Sequence, residues 1–263
     1  MNNTRVAIVT GASRGLGAAA ACWLGKAGAA VALIARSEEK LNETSDDVRR
    51  LGGEPLVCRA DVSQYDACRQ AVDKTLARFG RIDAVVNNAG IVQPIAAIVR
   101  TDPADWRYNI EVNLIGPFNL IRAAAAAVRR QNARIVNVSS GAANLALESM
   151  SAYCTAKAAL NHFTRVLAVE EPELTTVAVR PGVVDTDMQT FIREEGPRTM
   201  PSDQADYYRQ LKDRGELESA AIPGRSIAWL AFYAPRKFSG RFLDYDDPRI
   251  QGPALEVFGE NLL

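Results

Sequence analysis

The sequence is poor in histidine, cysteine and unbroken apolar runs. Its 263 residues include one histidine, His162, and four cysteines, Cys22, Cys58, Cys68 and Cys154. No two cysteines form a C-x-x-C pair, so a metal cluster of the usual zinc spacing is absent. So few cysteines in so long a chain do not make a disulfide framework. Cys154 reads as a small buried hydrophobe. No stretch reaches 18 apolar residues, so no membrane span is expected. The N-terminus enters an apolar strand pattern within a few residues, so no signal peptide is expected. An excess of charge is also lacking: 31 basic residues balance 31 acidic ones. That argues against nucleic acid or an anionic membrane as partner. VRRQNAR and APRKF are short and read as solvated surface. A cytoplasmic location follows as the default.

What is present alternates. Arg5–Thr10, Ala30–Ala35, Pro55–Ala60 and Ile82–Val86 are short apolar, β-branched runs, separated by helical patterns such as the charged amphipathic stretch 38–52. Repeated strand–helix units with short connections argue for a parallel sheet with helices on both faces. The expected fold is α/β, a single-domain, Rossmann-type, doubly wound parallel sheet spanning residues 1–263.

The first strand runs into Gly11-Ala12-Ser13-Arg14-Gly15-Leu16-Gly17 and then an alanine-rich helix. A glycine turn between a strand and a helix N-terminus is a phosphate-binding arrangement, because the helix start presents free N–H groups and the positive end of its dipole. The spacing is G-x-x-x-G-x-G rather than the commoner G-x-G-x-x-G. At the end of the second strand stand Arg36 and Ser37, where an acid would accept from a ribose 2′-hydroxyl and an arginine suits a 2′-phosphate. Arg14 offers a second cation. NADP(H) is therefore preferred over NAD(H). After the third strand, Asp61-Val62 borders the same region, and Asp61 either meets the adenine amino group or caps the next helix. After the fourth, Asn87-Asn88-Ala89-Gly90 is small enough for close backbone approach to a cofactor.

Tyr153 and Lys157 are four apart on a helical pattern, hence on one face. A nearby cation favours a phenolate and lowers its pKa from ~10, which makes Tyr153 a usable general acid or base. Ser140, at the end of the apolar run RIVNVSS, is placed to hydrogen-bond a substrate oxygen beside it. His162 is not a rival base. It lies nine residues past Tyr153, on the opposite helix face at about 100° per residue, so a Ser-His-Asp hydrolase is disfavoured.

Together TGASRGLG (10–17), NNAG (87–90), Asn113 in EVNLIG, Ser140, YCTAK (153–157) and PGVVDT (181–186) resemble the short-chain dehydrogenase/reductase family, in its order and spacing and over nearly the whole chain. The resemblance implies a tetrad of Asn113, Ser140, Tyr153 and Lys157. Tyr153 would protonate a carbonyl as hydride arrives. Lys157 would lower its pKa and hold the nicotinamide ribose. Ser140 would orient the carbonyl, and Asn113 would keep a water near Lys157. In the Pro181-Gly182 motif, Thr186 and the backbone around Val184 would hold the pyrophosphate and the carboxamide. AYCTAKAALNHFTRVLAVEEP, PGVVDTDMQ and LKDRGEL look like the sepiapterin reductase and benzil reductase branch, whose members reduce ketones with NADPH, often one carbonyl of a vicinal dicarbonyl.

Residues 187–220 mix Met188, Phe191, Ile192, Met200, Tyr207, Tyr208 and Leu211 with charges and read as a partly helical substrate lid, with Gly196-Pro197 and Pro201 as a hinge. In GRFLDY (240–245), the last strand, Asp244 falls where the resemblance places a pterin-anchoring acid; capping a turn is the other reading. The helices around 103–129 and 151–170 have long apolar faces, which in this family commonly pair, so a homodimer or homotetramer is expected. The function expected is NADPH-dependent reduction of a small-molecule ketone. The rivals are an NAD-dependent alcohol dehydrogenase of the same family and a non-catalytic NADP(H)-sensing protein.

Overall fold

Period-two burial organises the sheet. Every residue of β1 (Val6–Thr10) is buried, yet successive side chains belong to different cores. Ala7 and Val9 join one apolar cluster and Ile8 joins another. The same alternation holds in β2 (Ala30–Ala35), with Val31 and Leu33 on one side and Ala32 and Ile34 on the other. Strands buried on both faces need helices over both. In the computed structural model, which describes residues 4–262, they have them. One face is covered by α1 (Gly15–Lys26), α9 (Ala221–Tyr233) and α10 (Pro248–Phe258). The other is covered by α3 (Tyr65–Phe79), α5 (Gly116–Gln131) and α6 (Ser151–Glu170). The α2 helix (Glu38–Arg50) joins the first layer through Leu41 and Val48. Each such aliphatic side chain taken fully from water contributes about 1.5–3 kcal/mol.

The remaining strands are β3 (Glu54–Arg59), β4 (Ala84–Asn87), β5 (Arg134–Val138), β6 (Thr175–Arg180) and β7 (Phe242–Asp244). Spatial order is β3-β2-β1-β4-β5-β6-β7, with every pairing parallel. The connection reverses direction between β1 and β4. In open parallel sheets a crevice forms there, outside the carboxyl ends of the strands.

The stretch expected to be helical near 103–129 is interrupted. The α4 helix (Pro103–Ile110) passes into one π-helical turn, Glu111–Ile115, before α5 begins. The Gly116 N–H donates to the Glu111 carbonyl, five residues back. Pro117 has no N–H to return to the Asn113 carbonyl four residues before it. The Ala123–Ala127 run lies inside α5. Beyond β6, residues 187–220 fold as α7 (Asp187–Glu195), a short 3₁₀ turn and α8 (Ser202–Asp213). No helix among the described residues is long and apolar enough to cross a membrane.

Candidate active site

The carboxyl ends of the strands open into one cavity of about 1330 Å³. It runs from the glycine loop and Arg36 at one end to Tyr153 and the α7–α8 segment at the other. Most of the residues expected at the site line it, including Gly11, Ser13, Arg14, Gly15 and Leu16, Arg36 and Ser37, Asp61 and Val62, and Asn88, Ala89 and Gly90. Ser140, Tyr153, Lys157, Pro181, Gly182, Val184 and Thr186 line it too. Gly17 and Asn113 do not, and both lie one layer behind.

Gly17 is needed by the loop itself. A Cβ there would sit 2.3 Å from the Gly11 carbonyl oxygen and 2.5 Å from Asn88 Nδ2. Asn88 closes the arrangement from the next strand, donating from Nδ2 to the Thr10 carbonyl at 3.0 Å. Thr10 Oγ1 accepts from the N–H groups of Asn88 and Ala89, each at 3.0 Å. The loop delivers α1 with its first turn open. Arg14, at the N-cap, makes no side-chain cap bond and no acid stands in that turn. The first N–H groups of a helix have no intrahelical partner, so this end suits an anion.

At the outer end, Arg36 Nη1 donates to the Tyr108 hydroxyl at 2.9 Å. Neither Arg36 nor Lys40, which also lines the cavity, forms an ion pair among the described residues. These two cations without carboxylate partners among the described residues could hold an anionic group of a dinucleotide at this end. Arg14 is placed differently from expectation, because its guanidinium pairs with Asp187 on α7 at 2.6 Å. Ser37 is the N-cap of α2, accepting from the Lys40 N–H at 3.5 Å. Asp61 accepts from the Ser63 N–H and hydroxyl at 2.9 and 2.8 Å. Its carboxylate thus closes a turn ahead of α3, while the N-cap position belongs to Gln64.

At the inner end, Tyr153 and Lys157 share a face of α6, with Nζ 5.6 Å from the phenol ring centroid. Lys157 is 4% exposed, and Nζ donates to the Val138 carbonyl at 2.8 Å. Burial pulls its pKa down from 10.5 to about 8. In the chain by itself the Tyr153 pKa lies above its ordinary value. Burial raises it, and a hydrogen bond with Ser140 offsets part of the rise. Tyr153 is therefore protonated at neutral pH. Ser140 Oγ also accepts from the Ala142 N–H at 3.1 Å, capping the short 3₁₀ turn Gly141–Asn144.

Asn113 is fully buried in the π-helical turn. Its Nδ2 donates to the carbonyls of Ile91 at 2.8 Å and Asn109 at 3.1 Å, and its Oδ1 accepts from the Ile91 N–H at 3.3 Å. The side-chain amide is thus engaged by the backbone of Ile91 and Asn109 and by the Asn109 side chain. It fixes the loop after β4. Gly90 permits this, since a Cβ there would lie 2.7 Å from Asn113 Oδ1 and 3.6 Å from Lys157 Nζ.

The α7–α8 segment closes the inner end. Ile192, Met200, Ala205 and Tyr208 cluster with Val92, Ala142, Met150 and Tyr153. Ser149 Oγ donates to the Thr199 carbonyl at 2.7 Å, and the Tyr208 hydroxyl lies 3.7 Å from Met150 Sδ. Cys154 packs against this cluster, and burial raises its pKa. His162 is exposed, 3.1 Å from Arg165 Nη2 and outside the cavity.

Asp244 ends β7 at a turn, where its carbonyl accepts from the Asp247 N–H at 3.2 Å. It pairs with Arg180 at 2.6 Å, and the cavity wall is made by Arg180, Tyr245 and Asp246. Arg180, Lys40, Tyr108 and Tyr245 are cavity residues that the sequence reading passed over. Arg180 stands directly before Pro181-Gly182 and was in view; nothing local marks Tyr108.

An α/β sheet with a phosphate-binding loop at its switch point and a Ser/Tyr/Lys group at the far end of the same cavity defines a dinucleotide-dependent oxidoreductase. The chain belongs to the short chain dehydrogenase family, whose model matches residues 5–196; the family uses nicotinamide dinucleotides. An uncharacterised oxidoreductase of Saccharomyces cerevisiae is 33% identical over 250 residues, covering 94% of this chain and 97% of its own. Its solved structure aligns with a TM-score of 0.89 over 94% of this chain and 98% of that one. The benzil reductase ((S)-benzoin forming) of the same yeast is 31% identical over 262 residues, covering 95% and 98% of the two chains. The solved structure of the KRED1-Pglu enzyme is 38% identical, with a TM-score of 0.86 over 91% of this chain and 100% of that one.

Proposed function

We propose that the protein is an NADPH-dependent carbonyl reductase acting on a hydrophobic ketone, including one carbonyl of a vicinal diketone. The observation that carries this reading is the pairing of ends within one cavity. Arg36 and Lys40 stand at one end, and Tyr153, Ser140 and Lys157 at the other. When bound, the dinucleotide supplies a hydride to the carbonyl carbon. Gly15 and Leu16 would hold its pyrophosphate at the α1 N-terminus, Arg36 and Lys40 its 2′-phosphate, and Lys157 its nicotinamide ribose.

The chain's own residues manage the oxygen. Ser140 donates to the carbonyl oxygen and aims it at the phenol. Tyr153, held protonated by burial, gives its proton to that oxygen as negative charge develops there. The product is a secondary alcohol, and Tyr153 is reprotonated from solvent. Lys157 keeps a positive charge beside the phenolate formed at that instant. Asn113 holds the loop after β4 against which these groups are set. The α7–α8 segment gives the substrate an apolar wall through Met188 and Phe191, which supports a ketone with a hydrophobic body. Resemblance to a benzil reductase supports the diketone case. The same reading takes the chain as one catalytic domain with residues 187–220 as its lid.

The test is initial-rate oxidation of NADPH and, separately, NADH with 1-phenyl-1,2-propanedione and benzil. Wild-type protein is expected to turn over with NADPH in preference to NADH. Tyr153→Phe is expected to lose about 10²–10⁴-fold in kcat while NADPH binding, followed by fluorescence, is retained. Full turnover by the phenylalanine variant would sink the chemistry, and an unchanged cofactor preference in Arg36→Asp would sink the 2′-phosphate assignment.

A further inference from the structure

Arg180 is the last residue of β6, and its side chain reaches the cavity at the inner end. Only one edge of the guanidinium is engaged among the described residues: Nη2 donates to Asp244 Oδ2 at 2.6 Å. The opposite nitrogen faces the backbone just after the serine. A methyl group built on Gly141 would stand 3.5 Å from Arg180 Cδ and 4.0 Å from Nη1. Gly141 follows Ser140 directly. Nη1 is thus close to the backbone that follows Ser140, on the wall of the cavity that Ser140 and Tyr153 also line. The alcohol–ketone chemistry uses no group here.

We propose that Arg180 is the specificity-determining residue of this reductase: its free N–H donates to an acceptor oxygen on the carbon next to the reacting carbonyl, selecting neutral 1,2-dicarbonyl substrates. The assignment rests on the carbonyl-reductase reading above. Geometry supplies the first reason. A substrate whose carbonyl oxygen lies between Ser140 and Tyr153 has its adjacent carbon free to extend past Gly141, and there the donor waits. Charge supplies the second. Asp244 neutralises the guanidinium, and Glu218 and Asp246 line the same cavity. A carboxylate beside Arg180 would compete with Asp244 for a guanidinium already paired, so a 2-oxo acid is held less well there than a neutral diketone. The third reason is the wall itself, which beyond Arg180 is apolar at Leu147, Met150 and Phe191. Asp244 then acts through Arg180, as a positioning residue, and not on the substrate.

The experiment compares 1-phenyl-1,2-propanedione with propiophenone, the same skeleton without the second oxygen. Propiophenone is measured as substrate, or as a competitive inhibitor if its turnover is slow. Arg180→Gln is expected to lower kcat/KM for the dione about tenfold to a hundredfold, the loss of a charge-assisted hydrogen bond. Propiophenone is expected to change by less than about twofold, as it never used that bond. Arg180→Lys should recover part of the loss. Gly141→Ala leaves Arg180 in place and adds a methyl group 3.5 Å from its Cδ and 4.0 Å from Nη1, crowding the space beside the guanidinium, and it should show the same selective loss. Asp244→Asn, which leaves Arg180 charged, should raise activity on phenylglyoxylate relative to the dione. Equal losses on both aryl ketones, or none, would overturn the assignment. Monoketone reduction by wild-type protein with an unaffected Arg180→Gln variant would leave the reductase reading standing and remove Arg180 alone. No oxidation of NADPH or NADH by wild type with any ketone would remove the reductase reading itself.

Discussion

Lys157 carries a charge that the fold tolerates against its own stability. It is nearly inaccessible to water, it has no carboxylate partner among the described residues, and burial brings its pKa from 10.5 to about 8. That displacement corresponds to about 3 kcal/mol. Below pH 8 both folded and unfolded chains hold the proton, so the full penalty is present. Between pH 8 and 10.5 the unfolded chain still holds a proton that the native state has released, so wild-type stability gains with rising pH from this group. Buried Cys22 and Cys68, with pKa values raised to about 11 and about 12, act in the opposite sense above pH 9, and so the comparison must be between variants. Lys157→Met is expected to be more stable than wild type at pH 7 by about 1–3 kcal/mol, because an apolar side chain of similar length removes the buried charge. The advantage should shrink between pH 8 and 10.5, and turnover should be lost throughout. Urea unfolding at pH 7, 8.5 and 10 measures it. A difference that stays constant across that range would show that packing, and not charge, separates the two proteins.

At the scale of elements, the glycine loop and the lid are strapped together. Arg14, at the start of α1, and Asp187, the first residue of α7, pair at 2.6 Å although both remain exposed. Such a pair is worth about 0.2–1 kcal/mol. Arg14 cannot serve Asp187 and a 2′-phosphate with the same nitrogens, so on the proposed reading breaking the pair would add a third cation to Arg36 and Lys40 for NADPH and leave NADH untouched. Asp187→Asn is expected to tighten NADPH binding about 1.4- to 5-fold with NADH unchanged, read by fluorescence titration. Tightening of both cofactors would assign Asp187 to loop position instead. The strap also shows where sequence reading reaches its limit. The strands and the glycine turn were legible because short apolar, β-branched runs and strand–turn–helix order are local patterns. Tyr153 and Lys157 were legible because four residues along a helix is a fixed displacement. The partners of Arg14, Arg36 and Arg180 are not local. Asp187, Tyr108 and Asp244 reach them across different elements, and nothing near any of them in the chain records it. The π-helical turn at Asn113 lies between these cases: Gly116-Pro117 marks an interruption, but not that the freed register would turn the asparagine amide onto Ile91.

At the scale of the molecule, the layer formed by α3, α4, α5 and α6 is incompletely covered. On α5 and the turn before it, Ile115 and Phe118 are 39% and 46% exposed, and on α6 Val166 and Val169 are 40% and 80% exposed. The opposite faces of the same helices are fully used: Leu120, Ile121, Ala124 and Leu167 belong to the core. Helices apolar on both sides are unusual at a free surface, and exposed apolar residues on neighbouring helices suit association. The most economical cover is the same pair of helices from a second copy, an isologous contact that closes on itself. The chain is therefore expected to run in solution at twice or four times its 28.5 kDa, and Val169→Glu is expected to shift it toward the mass of one chain in light scattering at micromolar concentration. Because Val169 makes little use of its own protomer, a charge there should leave the monomer's thermal midpoint nearly unchanged at limiting dilution, whereas the same change at Leu167 would unfold the core. The substitution also tests whether the catalytic groups depend on assembly. Tyr153 and Lys157 project from the opposite side of α6 into the cavity, so a dissociated variant that keeps its kcat would show that one chain holds a complete site. A variant that dissociates and loses turnover with NADPH binding intact would show that pairing through α6 fixes the helix on which both groups stand.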